Sequence, residues 1–246
     1  MTSQRTFVGV SALLFAASSA LTIVWCASMQ SMGGMPMPGG WTMSMTWMRM
    51  PGHSWPGSAA TFLGMWMVMM VAMMLPSLVP MLRHCRAAVA AIVSIGYFVV
   101  WALIGIGIFI AGVALAFVEM RNAFVSRTVP ITGALIVLIA GAFQFTSWKA
   151  RRLSGCRAVP SPTTRIAFRH GIHLGLRCVS CCANLTAILL VIGVMDLRAM
   201  AVVTVAMTAE RLSRSGARVA RATGALTVAA GIVLIVRIMG LSLLLW

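Results

Sequence analysis

The chain has 246 residues, 61% of them hydrophobic, and sets 19 Lys and Arg against three acids (Glu119, Asp196, Glu210) for a formal net charge of +16. A soluble domain of this length needs more charge to stay dispersed, so the composition excludes one and points to apolar runs long enough to span a bilayer. The arginines fall in short segments between those runs, which fits loop topology and anionic headgroups and argues against a nucleic-acid partner.

Residues 7–26 form the first apolar run, either a span or a secretory signal; its length and lack of a small-residue cleavage site favour a retained span. Residues 27–60 are rich in Met, Gly, Pro and Trp without a sustained period and read as an irregular outer loop. The second span, 61–82, contains Pro76 and Pro80, which remove backbone donors and should bend it. The third, 88–118, is dotted with glycines that allow close packing, and the fourth covers 129–147. Residues 148–177 form a basic segment. Two short runs follow, 178–195 and 197–208, joined at Asp196; they either span a locally thinned bilayer or re-enter it. The last span covers 222–239.

The expected architecture is an all-α polytopic membrane protein of about seven transmembrane helices, or six if the first is cleaved. Residues 1–26 would be the first span, 27–60 the outer loop and 61–246 a helical membrane domain with a cytoplasmic loop at 148–177. With the N-terminus inside, the cytoplasmic segments hold 14 Lys and Arg and the outer segments five. That asymmetry fits a multi-pass protein of the inner (plasma) membrane.

Soft donors are concentrated in three places. The outer loop carries Met29, Met32, Met35, Met37, Met43, Met45, Met48 and Met50, with His53 just beyond. Neutral thioethers bind Cu(I) in an oxidising compartment where free thiols are at risk. The other reading of this loop is an adaptable interfacial surface with Trp41, Trp47 and Trp55 as belt residues. In the second span, Met65, Met69 and Met73 recur every four residues, as do Met70 and Met74, and residues 70, 74, 81 and 85 share nearly one helical face. Such a stripe serves equally as packing.

The thiols lie mainly at the cytoplasmic end. Cys178-Val-Ser-Cys181-Cys182 is a C-x-x-C with an adjacent third thiol, placed at the start of a helix whose dipole would favour thiolate. Cys85 and Cys156 map to the same side, as do His84, His170 and His173. In a reducing compartment this cluster reads as a metal site rather than a disulfide, with Cu(I) favoured and a four-ligand zinc site the alternative. The candidate ligands are therefore Cys178, Cys181, Cys182, Cys156, Cys85, Met69, Met73, Met74, Met43, Met45, Met48, Met50 and His53.

Three blocks resemble the DUF2182 family of bacterial integral membrane proteins, which are described as predicted metal-binding. They are Trp66-x-x-Met69-x-x-Ala72-Met73-Met74-Leu75-Pro76; Lys149-x-x-x-Leu153-x-x-Cys156-Arg157; and Gly171-x-x-x-Gly175-x-x-Cys178-x-Ser180-Cys181-Cys182, followed by 193–197 and Glu210-Arg211. Arg152 stands where that pattern has a further cysteine, so the middle block offers one thiol. The resemblance implies metal binding in a membrane and supplies no substrate or reaction.

The sequence has no G-x-x-x-x-G-K-[ST] loop for ATP and no paired carboxylates or Ser/His/Asp set, so the leading reading is non-enzymatic. Outer methionines would collect Cu(I), second-span methionines would hold or pass it, and cytoplasmic thiols would receive it for transfer, storage or delivery. The partners implied are the bilayer and a copper chaperone or membrane redox enzyme. The alternatives are a membrane subunit of a copper- or haem-dependent redox enzyme, and an assembly subunit with structural zinc.

Overall fold

A computed structural model of the chain describes residues 2–31, 33–48, 54–82, 85–155 and 166–244. Among the described residues, eight helices and one hairpin follow in order: α1 Thr2–Ser31, β1 Gly34–Met37, β2 Trp41–Ser44, a 3-10 turn at Met45–Trp47, α2 Trp55–Leu82, α3 Ala87–Arg121, α4 Ala123–Phe143, α5 Ser147–Gly155, α6 Ala167–Ile192, α7 Leu197–Leu212 and α8 Gly216–Leu244. Six of them (α1, α2, α3, α4, α6 and α8) are long and apolar enough to cross a membrane. The protein is an all-α polytopic membrane protein, as its composition requires.

Helices α2 and α6 are central: 56% and 50% of their most apolar stretches are buried, against 22% or less in the other spans. Around them, α3 packs along α6 and α4 along α8, while α1 lies on α2. Glycine decides how closely the first pair approaches. A Cβ on Gly96 would collide with the Phe168 carbonyl, and one on Gly171 with the Val93 carbonyl, so the two backbones touch where both residues lack side chains. In lipid, where apolar side chains gain little by leaving the solvent, such contact supplies dispersion energy that holds helices together.

Turns are set by local side-chain caps. Asn122 alone separates α3 from α4, and its side chain accepts from the amides of Phe124 and Val125. Gly193, at φ 132°, ends α6. Asp196 then caps α7 by accepting from the amides of Arg198 and Ala199 at 2.8 and 2.9 Å. These are the short polar residues that satisfy the first amides of a helix.

Three elements differ from the sequence expectation. The outer segment is not irregular: α1 continues to Ser31, and an antiparallel hairpin follows in which Met35 pairs with Met43 and Met37 with Trp41. The turn between the strands uses Gly39 and Gly40 at φ 111° and 76°, where glycine has no Cβ penalty. The described residues of the basic segment are almost all helical, because α5 fills 147–155 and α6 starts at Ala167, well before Cys178. The expected sixth span is α7, whose 16 residues rise only about 24 Å. It nevertheless runs from the hairpin end, where Gln30 donates to the Met195 carbonyl just ahead of it, to the basic end, where Arg211 reaches Met81. Pro76 and Pro80 sit inside α2 without ending it.

Candidate functional site

Met74, Ser77 and Met81 lie along one stripe of α2, spaced by three and four residues, and that stripe faces α6 and α7. Across from it, Cys178 and Cys182 stand one turn apart on α6, with their Sγ atoms 3.9 Å from each other. The Cys178 Sγ is also 3.8 Å from the Met74 Sδ. All three side chains are buried. Thiolate ligands bind metals at about 2.3 Å, so two sulfurs that share one ion stand no more than about 4.6 Å apart. Both measured separations fall inside that bound.

Polar groups converge on the same thiol. The Tyr97 hydroxyl, from α3, donates to Cys178 Sγ at 2.9 Å. The Arg211 guanidinium, from α7, donates to Cys178 Sγ at 3.2 Å and to the Ser77 hydroxyl at 2.7 Å, and its other terminal nitrogen lies 3.7 Å from the Met81 Sδ. A second buried group lies beside it. Lys149 of α5 pairs with Glu210 at 2.9 Å, donates to the Cys181 carbonyl, and reaches the Asn184 side-chain oxygen at 3.2 Å. Gln144 donates to the other Glu210 oxygen at 2.8 Å. The adjacent residues Glu210 and Arg211 thus tie the end of α7 to α4 and α5 on one side and to α2 and α6 on the other.

Two buried thiols and a thioether, with donors to one sulfur, form a donor set for a soft ion. The family comparison agrees with that chemistry. The chain belongs to the PpoB2 copper chaperone family. The family model matches residues 63–234, a stretch that holds α2 from its third turn on, every sulfur of the cluster, and both Glu210 and Arg211. No curated protein and no solved structure shows a significant match. The family is copper-related, as the soft donors imply, though its name is not the one the sequence resemblance suggests.

The structure places the sequence candidates unevenly. Cys178, Cys182 and Met74 come together. Cys181 is buried but does not converge with them: among the described residues no three His, Cys, Asp or Glu side chains form a metal-holding group. Met69 and Met73 are buried in the core around α2, and Cys85 is half-buried at its edge. Met43 and Met37 pack with Ala116, Trp41 and Trp47, so the hairpin methionines fill space against α3. Met48 is half-buried. The side chain of Met45 lies outside what is described, as do residues Met50, His53, His84 and Cys156. His170 and His173 sit on α6 more than a turn before Cys178.

The dipole argument for Cys178 also changes. Eleven residues of α6 precede it, about 16 Å of helix, and the end effect fades within the first turn. What faces the thiol instead is Arg211 and Tyr97, neither of which the sequence alone brings to the site. By sequence, Lys149 reads as a loop charge and Glu210 as a residue near a span end. The available signal is that Lys149, Glu210 and Arg211 all fall inside the blocks that carry the family resemblance. A further sulfur pair, Cys26 Sγ and Met195 Sδ at 3.9 Å, joins α1 to the α6–α7 turn at the hairpin end.

Proposed function

We propose that this protein is a membrane-embedded copper chaperone that holds Cu(I) between Cys178, Cys182 and Met74 and hands it to a partner at the basic end. The observation that carries the reading is the buried sulfur cluster, with Cys178 within 4 Å of both other sulfurs. Cu(I) accepts two or three soft ligands, and thiolate with thioether is a set it prefers over oxygen or amine donors. Structural zinc takes four ligands, mostly thiolate and imidazole, and two thiols with a thioether do not supply them.

Transfer by this reading is stepwise ligand exchange. An incoming sulfur joins the ion before a resident one leaves, so the ion is never without ligands in the low-dielectric interior. Met81, one stripe position beyond Ser77, and Cys85 after it lead from the cluster toward the basic end. The excess of arginine there argues for that end facing the cytoplasm across the inner membrane, so the acceptor is a cytoplasmic copper chaperone or a membrane redox enzyme that presents its own thiolates or thioethers.

The test is metal content of the detergent-purified protein after anaerobic Cu(I) loading, read by elemental mass spectrometry. The wild type should retain copper through desalting, and Cys178→Ser and Cys182→Ser should each lose the tightest-held ion. Equal retention in all three proteins would remove the cluster as the site. Zinc in place of copper, lost in the same variants, would make the thiols structural.

A further inference from the structure

We infer that Arg211 is the specificity-determining residue of the sulfur cluster, a fixed countercharge that matches it to a soft monovalent cation and rejects divalent ones. The inference rests on the Cu(I) reading above and concerns the guanidinium seated on the ligands themselves.

Thiols bind metal as thiolates, so Cys178 and Cys182 together bring two negative charges to an ion between them. Arg211 brings one positive charge that it cannot lose. It is 5% exposed, and Ser77, Cys178 and Met81 surround its two terminal nitrogens. Met74, Ser77 and Tyr97 are neutral. Lys149 and Glu210 cancel each other at 2.9 Å. What remains is a single negative charge, which a monovalent ion neutralises and a divalent ion exceeds.

An uncompensated charge in a dry interior is strongly unfavourable, because neither water nor a partner screens it. No acidic side chain is at hand to absorb a second positive charge. The sequence has three acids; Glu210 is held by Lys149 and Gln144, Glu119 is in the last turn of α3, and Asp196 caps the start of α7 at the hairpin end. Ligand softness alone does not make this distinction, since zinc also binds thiolates well. The guanidinium adds it through charge.

The experiment uses the full chain in detergent, loaded with Ag(I) as an air-stable soft monovalent ion and challenged with Zn(II), with both metals read by elemental mass spectrometry. Wild type should keep Ag(I) against excess Zn(II). Arg211→Gln and Arg211→Met should shift the Ag(I)-to-Zn(II) preference toward zinc by about tenfold or more, and Arg211→Lys, which keeps the charge, should restore it. A countercharge role is overturned if Zn(II) displaces Ag(I) from the wild type, a reading that needs no variant to fold. It is equally overturned if the uncharged variants keep the wild-type preference or if Arg211→Lys behaves like Arg211→Gln. Wild type that takes up neither ion overturns the sulfur site itself, whereas wild type that binds Ag(I) with the ratio unmoved in the variants overturns the role of Arg211 alone.

Discussion

Lys149 and Glu210, on helices α5 and α7, form an ion pair of 2.9 Å with both side chains shielded from solvent. The lysine also serves the Cys181 carbonyl and Asn184, and the carboxylate also accepts from Gln144, so the pair stitches α4, α5, α6 and α7 together beside the sulfur cluster. Removing one partner strands a buried charge, at a cost of about 3–5 kcal/mol. Lys149→Met should be the more damaging change, because it also leaves the Cys181 carbonyl and Asn184 without that donor. Glu210→Gln keeps an acceptor for Lys149 and should cost less. Midpoints of thermal unfolding in detergent check the order. A Lys149→Met midpoint equal to that of wild type would mean that the pair contributes nothing net.

The contact between α3 and α6 gives a second expectation. Gly96 and Gly171 face backbone atoms, which cannot swing aside as a side chain can. Gly96→Ala and Gly171→Ala should each force the helices apart and cost on the overpacking scale of about 1–3 kcal/mol or more. Gly107, on the same α3, faces open space, with nothing within 4 Å of where a Cβ would stand. Gly107→Ala should be neutral or slightly stabilising, because alanine favours helix by about 1 kcal/mol. Thermal midpoints in detergent compare the three variants. Equal effects at 107 and 171 would mean that helix propensity, not close approach, sets the response.

Much of this architecture is legible in the sequence, because runs of apolar residues and their lengths follow from the bilayer. The start of α6 is not, and the reason is averaging. Arg169, His170, His173 and Arg177 make its first turns polar, yet Gly171, Leu174, Gly175 and Cys178 recur at helical spacing and are the buried ones. The hairpin carries its own signal, Met35 and Met37 alternating before Gly39-Gly40 and Trp41 and Met43 after it. Reading those methionines as ligands hides a period of two. Cys178, Cys182 and the α2 stripe are visible as sulfur, but which sulfurs meet depends on how α2 and α6 pack. Arg211 and Lys149 read first as topology signals, since each is a basic residue near a span end, and only their place in the resembling blocks marks them as site residues.

Met43 and Met74 are both buried, one against the hairpin's aromatic residues and the other against Cys178. Leucine is close to methionine in volume, so either Met→Leu change should cost less than about 1.5 kcal/mol in stability. Their effects on metal should diverge. Met74→Leu removes a thioether from the cluster and should weaken Ag(I) retention by about tenfold or more, whereas Met43→Leu should leave it unchanged. A matched loss in Met43→Leu would return the hairpin methionines to the metal path.

Orientation is the last expectation, and it follows from charge. The cytoplasmic assignment of the basic end rests on 14 Lys and Arg against five. Lys149 and Arg211 are buried and so drop out of that bias, which survives without them because Arg86, Arg151, Arg152, Arg214, Arg218 and Arg221 are at the same end. Thr42 is exposed on the hairpin face opposite Met43, and Arg218 is exposed near the start of α8. A membrane-impermeant maleimide should therefore label Thr42→Cys in intact cells and Arg218→Cys only after permeabilisation. The native thiols at 26, 178, 181 and 182 are buried and contribute little background, and the half-buried Cys85 is replaced by serine, together with Cys156, in both labelling variants. Labelling of Arg218→Cys from outside, with Thr42→Cys protected, would invert the protein and move the proposed acceptor to the other face of the membrane.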